Sequence, residues 1–481
     1  MNRVVVLYPR IAVGLLAALL LFGCARVPEP ISGDLIQMLR DEYQAPLEEE
    51  DANVLVGEPS LHLAVRLAAG RNPHAQAARL RWRAAIEREP QAVTPPDPTA
   101  RFGFQFDSVE TRVGPQRWSL GVSQKVPWWR KLWARGRVAA TQADITRLQY
   151  EIAMRETLNE VKDAWYELYY IDQALPITER IEEMLRNEAV LAYQELSVGR
   201  TPLNEALRAE SQAAQLGYDR ILLEERRATQ AERLRSLLNL PPQTRIGVVR
   251  SAPIYSIEGE TDELNKRAEH YAEVLKIKGL NVERARYETY LAKLARIPDP
   301  TIGFNLVKVD SVRAPMMSAP SVSPATSSPP ASASKPSDSG KDAFIGLISM
   351  NLPIWEWRNR ALIREQEALE GAMEWEALRE VNRVRAAVAG TWFDVQLTGR
   401  LVDLYVQTLI PQAESVMRQA ELYFRADQAS LSNLIESTLA WHNFQLALHR
   451  ARADHGQALA RLEQVLGTTA EPRETGEGDQ P

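Results

Sequence analysis

The sequence PDPTARFGFQF at residues 96–106 has a second version, PDPTIGFNLVK, at residues 298–308, which begins 202 residues further along the chain. Other paired features follow in the same order at offsets of 226 to 228 residues: Ser123 and Pro127 with Ser349 and Pro353, Trp165-Tyr166 with Trp392-Phe393, and Arg233-Leu234 with Arg461-Leu462. The change between the first two offsets indicates a single local insertion. The chain is therefore predicted to be one unit repeated twice, unlike an ordinary globular fold.

The quoted segments and the residues after them alternate as β-strands do. In the first repeat, apolar residues alternate with small or polar ones in two stretches, at Phe102, Phe104 and Phe106 and at Trp118, Leu120 and Val122. The second repeat has comparable stretches around Phe304 and over residues 344–352. Period-two alternation predicts four strands, each with one apolar and one polar side.

Good helix formers (alanine, leucine, glutamate and arginine) fill most of the remaining chain, which favours a mainly α fold with a small β part. The predicted helices cover residues 60–88, 132–196 and from 203 to about 238 in the first repeat, and 264–295, about 355–425 and 431–466 in the second. Four prolines between residues 89 and 98 are expected to end the first helix. A helix of about 65 residues is roughly 100 Å long, far beyond a globular helix.

The N-terminus reads as a targeting segment. Arg3 and Arg10 form a cationic region in front of an apolar stretch at residues 11–22 that is too short to span a bilayer, so residues 1–23 are predicted to be a signal peptide. The stretch ends at Cys24, the only cysteine of the chain, in a sequence that resembles a lipobox. We expect Cys24 to be acylated, with palmitate among its lipids. The alternative is a stray thiol in an ordinary signal peptide.

The segments between and after the repeats are polar. Residues 24–59 are interpreted as a lipidated N-terminal arm, 60–242 as the first repeat, 243–467 as the second, and 468–481 as a disordered tail. Residues 312–341, rich in proline, serine and alanine, are predicted to form a flexible loop between two strands. The net charge of -6 favours no nucleic-acid partner.

Four strands cannot close a barrel, since about eight are needed to surround a filled interior. Strands with one apolar and one polar side therefore favour several chains that share one barrel, with lipid outside and water inside. Trp128, Trp129, Trp355 and Trp357 lie where strands give way to helices, as expected for membrane-interface aromatics. Two alternatives stay open: a soluble antiparallel sheet with one core face, and tryptophans that plug a core between sheet and helices.

The order of these elements, the lipobox and the turn sequence YQELSVGRTPL at residues 193–203 resemble the TolC-like outer-membrane efflux family, in its lipid-anchored branch. The resemblance covers nearly all of residues 60–467. It implies a homotrimer with a twelve-stranded outer-membrane β-barrel, four strands per chain, and very long coiled-coil helices in the periplasm. It also implies a passive export channel, not an enzyme, that works with a periplasmic adaptor and an inner-membrane RND-type pump on drugs or metal ions.

In this family, acidic residues six and nine positions after each tip glycine form rings that close the periplasmic end. The resemblance places Glu205 six residues after Gly199, and it places Asn433 and Glu436 after Asp427, which stands where the second tip glycine is expected. These four residues, Glu205, Asp427, Asn433 and Glu436, are the candidate periplasmic gate. The alternative interpretation is that both glutamates are solvated residues on helix faces.

No sequence pattern for catalysis or cofactor binding stands out. The chain has no P-loop, no dinucleotide-binding glycine pattern and no His-Glu-x-x-His motif. His442, His449 and His455 are spaced by seven and six residues, which is too far for one metal ion, so we expect no metal and no cofactor. Two other functions remain in view: a structural coiled-coil outer-membrane lipoprotein without pore activity, and a secreted helical binding protein.

Overall fold

A computed structural model of the chain describes residues 57, 59–109, 111, 113–199, 202–253, 257, 259–311, 339–426 and 428–468, with the side chains of 107–109 left out. The signal segment, Cys24, most of the N-terminal arm, loop residues 312–338, Asp427 and residues 469–481 lie outside the described residues. The chain divides into two compact units.

The first unit, formed by residues 86–141 and 283–372, holds an antiparallel sheet of four strands in the order β1-β2-β3-β4. The strands are β1 (Thr99–Val109), β2 (Gln116–Lys125), β3 (Pro300–Val309) and β4 (Ala343–Met350). All four coincide with the predicted strands. The sheet leaves β1 and β4 as its two edges.

The strand register shows the duplication directly. Thr99 lies opposite Ser123 in the first hairpin, and Thr301 lies opposite Ser349 in the second. These pairs are related by the same offsets of 202 and 226 residues that relate the two repeats in the sequence. Each repeat therefore contributes one hairpin of the same register, and the pairing of β2 with β3 joins the two hairpins.

The second unit, formed by the described residues of 57–85, 142–282 and 373–468, is helical. The helices of the whole described chain are α1 (Leu61–Arg71), α2 (Pro73–Ile86), α3 (Arg88–Val93), α4 (Trp129–Ser197), α5 (Leu203–Leu237), α6 (Thr261–Tyr271), α7 (Glu273–Leu294), α8 (Glu356–Leu404), α9 (Ile410–Arg425) and α10 (Leu431–Leu466). At 69 residues, α4 confirms the prediction of a very long helix.

Separate apolar clusters hold the helices of the second unit together. The largest is built around Leu67, Trp165, Tyr166 and Leu234, all buried. A second joins α4, α5 and α10 near the turn after α4, through residues such as Leu185, Ala209 and Ile435. Alanines at many of these positions allow the helix backbones to approach closely, as the sequence composition suggested.

The structure corrects three helix boundaries. The helix predicted over residues 60–88 is two helices, because Asn72 ends α1 and its side-chain oxygen then caps α2 by accepting from the backbone N–H of His74 at 2.8 Å. The second repeat has the same break at Ala272, between α6 and α7. Helix α3 also runs through Pro90, since proline is tolerated in a first helical turn.

The helix predicted over residues 355–425 is likewise interrupted. A π-helical turn at Tyr405–Leu409 separates α8 from α9. Pro411, in the first turn of α9, has no backbone N–H to donate to the preceding turn, which accounts for a local change of hydrogen-bond pattern at this point.

Candidate functional site

One face of the sheet is almost entirely apolar. The register places these side chains on that face: Phe102, Phe104, Trp118, Leu120, Val122, Ile302, Phe304, Leu306, Phe344 and Ile348. Most of them are exposed in the described chain, by 68% for Phe102 and 76% for Ile348, while Trp118, Phe304 and Leu306 are half-buried. An apolar surface of this size is far larger than a soluble protein leaves open to water, so it marks a surface for lipid or for another protein.

The opposite face carries mainly small or polar residues over β1, β2 and the first part of β3, although the buried Val307 of β3 also lies on it. Gly103, Ser119, Gly121, Ser123 and Asn305 lie on it. The expectation of one polar side for every strand is wrong for β4, where Ile345 and Leu347 occupy this face and both are exposed. Small and polar residues still dominate the remaining strands, so one face suits water and the other does not.

The four tryptophans proposed as membrane-interface aromatics lie in the first unit, at the ends of the sheet strands. Trp128 and Trp129 follow β2, and Trp355 and Trp357 follow β4. All four are exposed, so none is buried between sheet and helices in the described chain. The backbone carbonyls of Trp128 and Trp355 accept from Lys131 and Arg358 respectively, at 2.8 and 3.1 Å. The two strand-to-helix junctions therefore have the same geometry, at an offset of 227 residues.

A buried ion pair fixes the first of these junctions. The ammonium of Lys131 lies 2.7 Å from a carboxylate oxygen of Asp299, and both side chains are more than nine-tenths buried. The same ammonium donates to the carbonyl of Ile297 at 2.6 Å. The Asp299 carboxylate forms a second ion pair with the ammonium of Lys125 at 3.4 Å, and the Asp299 backbone N–H donates to the Asn351 side-chain oxygen at 2.8 Å. The start of β3 is thus tied to the start of α4 and to the ends of β2 and β4.

The candidate gate residues lie on the helices that follow the two turns of the second unit. Glu205 is in the first turn of α5 and half-buried, while Asn433 and Glu436 are exposed on the first turns of α10. Asp427 lies outside the described residues. Glu436 is not a free carboxylate, because the guanidinium of Arg208 donates to it at 2.6 Å. The sequence reasoning missed Arg208.

The turn after α4 is shaped by glycine. Gly199 has φ +76°, in the left-handed region, and its N–H donates to the carbonyl of Leu196 at 3.0 Å. Nearby, the Tyr193 hydroxyl donates to Glu210 at 2.5 Å, which links the end of α4 to α5. These contacts connect the two helices on either side of the turn.

The histidines of α10 do not come together. His449 Nδ1 lies 3.1 Å from the Tyr169 hydroxyl, and His455 Nδ1 lies 3.0 Å from the Thr398 hydroxyl. Over the part of the chain that the structure describes, no group of three or more metal-ligating side chains is close enough to hold an ion. In that same part, no helix combines the length and the apolar character needed to cross a membrane.

Neither a protein-family model nor a curated protein matches the sequence. Solved structures do match the fold. The outer-membrane channel OprN covers 87% of this chain and 91% of its own, with 14% identity and a TM-score of 0.69. The outer-membrane protein VceC of Vibrio cholerae covers 85% and 97%, with 14% identity and a TM-score of 0.66.

A third match is the open state of the MtrE outer-membrane channel of Neisseria gonorrhoeae, at 15% identity, 85% and 89% coverage and a TM-score of 0.67. These three are described as channels or as an outer-membrane protein. Structural similarity at such low sequence identity supports a conclusion about the fold only. The chain therefore has the TolC-like fold of solved outer-membrane channels, with long helices and a four-stranded antiparallel sheet.

Proposed function

We propose that the protein is the outer-membrane export channel of a tripartite efflux system, a passive duct that carries drugs or metal ions out of the periplasm. The observation that carries the proposal is the four-stranded sheet, with an apolar face exposed to the outside and a mainly polar face behind it. Contact with lipid suits the apolar face, and contact with water suits the polar face. The protein would hydrolyse nothing, since the inner-membrane pump supplies the energy.

Three chains would share one barrel. Two edges, β1 and β4, end the sheet, and four strands are too few to enclose an interior. Repeat-equivalent positions also differ in burial: Tyr166 is 2% exposed, while its counterpart Phe393 is 66% exposed. In a ring of copies, a neighbouring chain would cover exposed positions of the second repeat such as Phe393, as other helices of the same chain cover Tyr166. Twelve strands from a homotrimer would enclose water, and the long helices would continue the duct into the periplasm.

The partners follow from this placement. A channel without energy input needs a periplasmic adaptor and an inner-membrane RND-type pump, and acylated Cys24 would add a lipid anchor in the outer membrane. Trp128, Trp129, Trp355 and Trp357 would lie at the membrane–water boundary, where amphipathic rings are favoured. Glu205 and Glu436 would line the periplasmic end.

The first alternative, a coiled-coil lipoprotein without a pore, explains the long helices but gives no use to the exposed apolar face of the sheet. Purified full-length protein in planar lipid bilayers separates the two. We expect steps of ion conductance, at least after the gate residues are altered. Absence of conductance under every condition that opens the gate would refute the channel.

The second alternative, a secreted binding protein, is tested by membrane fractionation. Replacing Cys24 with serine removes the acylated residue, and a barrel in the membrane should still hold the chain in the outer-membrane fraction. If the Cys24→Ser protein is released entirely as soluble material, the barrel is refuted. The natural chain is the control. If the natural protein extracted with detergent carries no palmitate on Cys24, the lipid anchor is refuted.

A further inference from the structure

The internal duplication identifies an ion pair that the single chain leaves incomplete. Lys131 at the start of α4 binds Asp299 in front of β3. The residue equivalent to Asp299 in the other repeat is Asp97, since both are the aspartate of a Pro-Asp-Pro-Thr segment. The residue equivalent to Lys131 is Arg358, because both donate their backbone N–H to the carbonyl of the corresponding tryptophan three residues earlier.

Both equivalents are exposed, in contrast to the buried Lys131 and Asp299. Asp97 makes no ion pair with any residue that the structure describes, and neither does Arg358, whose guanidinium donates to the Asn359 side chain at 3.5 Å. One acid and one base are therefore left over, at positions where the other repeat has a closed, buried pair.

The sheet edges explain why. Asp299 meets Lys131 because β3 pairs with β2, the strand that leads into α4. Asp97 precedes β1 and Arg358 follows β4, and these are the two edge strands. An edge strand presents unpaired backbone N–H and C=O groups that another strand can satisfy. The acid and the base would meet only if β4 of one copy paired with β1 of another.

The register of that pairing follows from β2 and β3. Val122 lies opposite Phe304, and Leu120 lies opposite Leu306. The offsets between the repeats convert these pairs into Ile348 opposite Phe102 and Gly346 opposite Phe104 of the next copy. The conversion keeps the apolar face continuous, because all the large side chains concerned lie on that face. A shift by one residue would turn Phe102 and Phe104 to the polar face.

We propose that Arg358 of one copy forms an ion pair with Asp97 of the next, in a strand register of β4 on β1 that reproduces the register of β2 on β3. The inference rests on the proposed trimeric channel and specifies the residues that join its subunits. The partner is a second copy of this chain. Charge complementarity and the exposed edges supply the contact, and the duplication supplies its geometry.

The first test exchanges the charges. Asp97→Lys and Arg358→Glu each place like charges together, while the double variant restores an opposite pair. Each single variant is expected to weaken assembly at least about tenfold, measured as the fraction of purified protein that stays oligomeric on dilution in detergent, and the double variant is expected to recover most of it. Arg364→Glu, on the same helix and exposed, is the matched control and should leave assembly unchanged.

The second test reads the strand register directly. Chains carrying Phe102→Cys and chains of different length carrying Ile348→Cys, two residues that lie opposite each other in the proposed register, are co-expressed and oxidised. A disulfide-linked product of mixed length is expected, and chains with Cys24 alone give the background. A Phe106→Cys chain in place of the Phe102→Cys chain should give none, because Phe106 lies on the same face but several residues away from Ile348 in the proposed register.

The outcomes separate this inference from the proposed function. If the protein assembles and conducts ions, but the charge exchange shows no recovery or the mixed disulfide does not form, the ion pair and its register are refuted and the channel stands. If the natural chain neither assembles nor conducts, both are refuted. Mixed disulfide together with recovery by the double variant supports the pair.

Discussion

Arg208 and Glu436 form an ion pair at 2.6 Å. They occupy equivalent positions in the two repeats, nine residues after Gly199 and nine residues after Asp427. One position thus carries a base in the first repeat and an acid in the second, and the two neutralise each other between α5 and α10. Glu205 and Asn433 are the matching pair three residues earlier. The tip of one chain therefore has less free negative charge than rings of acids would have.

This pairing predicts the effect of replacing Arg208 with alanine. Glu436 would lose its partner, and three free carboxylates around the axis of the proposed channel would attract multivalent cations more strongly. Both side chains are about half exposed, so the pair is worth at most about 1 kcal/mol, and we expect cation block to strengthen about two- to fivefold. Conductance in planar bilayers, with divalent and trivalent ions added from the periplasmic side, measures it.

The complementary variants sharpen this test. Glu205→Ala should weaken the block, and Glu436→Ala should change it less, because Arg208 already offsets that charge. Arg418→Ala removes a comparable exposed pair with Glu414 on α9 and serves as the control. A block that stays the same in Arg208→Ala would exclude the ion pair from the gate.

The buried pair of Lys131 and Asp299 predicts a large loss of stability. Lys131→Met would leave the Asp299 carboxylate buried without its main partner, at a cost of about 3 to 5 kcal/mol in the free energy of unfolding. Lys125→Met removes the more distant and half-exposed partner and should cost less than about 1 kcal/mol. Denaturant titrations of the purified proteins compare them. Equal losses in both variants would contradict the special role of Lys131.

The sequence predicted the sheet and the long helices because both signals are local and repeated. Alternation around Phe102 and Phe304 marks strands, and the same order of features in the two repeats supports each strand a second time. The break at Asn72 had a local signal, an asparagine before a proline. The break at Ala272 had none within its own repeat, since alanine is a good helix former, and only comparison with Asn72 indicates it.

The candidate site was harder to predict, because its contacts join residues far apart in the chain. Counting from Asp427 identified Glu436 as a candidate, but its partner Arg208 lies on another helix. Counting nine residues from Gly199 reaches Arg208, so the sequence could have identified Arg208 as a residue of the tip. Its pairing with Glu436 could not be predicted in this way. Burial of Lys131 with Asp299 likewise depends on the pairing of β2 with β3.

Close packing between α4 and α10 gives a further prediction. A Cβ atom added at Gly456 would overlap the ring of Tyr166, which is buried and held by a hydrogen bond from its hydroxyl to the Pro253 carbonyl at 2.8 Å. Gly456→Ala should therefore cost about 1 to 3 kcal/mol in unfolding free energy. Gly279→Ala is the matched control: it faces open space on α7 and should stabilise the helix by about 0.5 to 1 kcal/mol. Stabilisation by both would refute the overlap.

His449 makes the stability depend on pH. Burial, together with the smaller effect of the nearby Arg452 charge, lowers its pKa to about 4, so the imidazole beside Tyr169 is neutral at pH 7. In the unfolded chain the pKa is about 6.5. Between pH 6.5 and 4 the unfolded chain therefore binds a proton that the folded chain does not, and the free energy of unfolding falls by about 3 kcal/mol. Below pH 4 both states are protonated and this loss stops.

His449→Gln should remove most of that decline, whatever its effect on stability at pH 7. His442 and His455, whose pKa values are also lowered by burial, add losses of the same sign that remain in the variant. His74→Gln changes an exposed histidine and should leave the decline as it is. Denaturant midpoints at half-unit steps from pH 7 to 4 compare the three proteins. Parallel curves for the natural chain and His449→Gln would mean that His449 is already protonated in the folded helix bundle, because a neutral buried imidazole must steepen the natural curve.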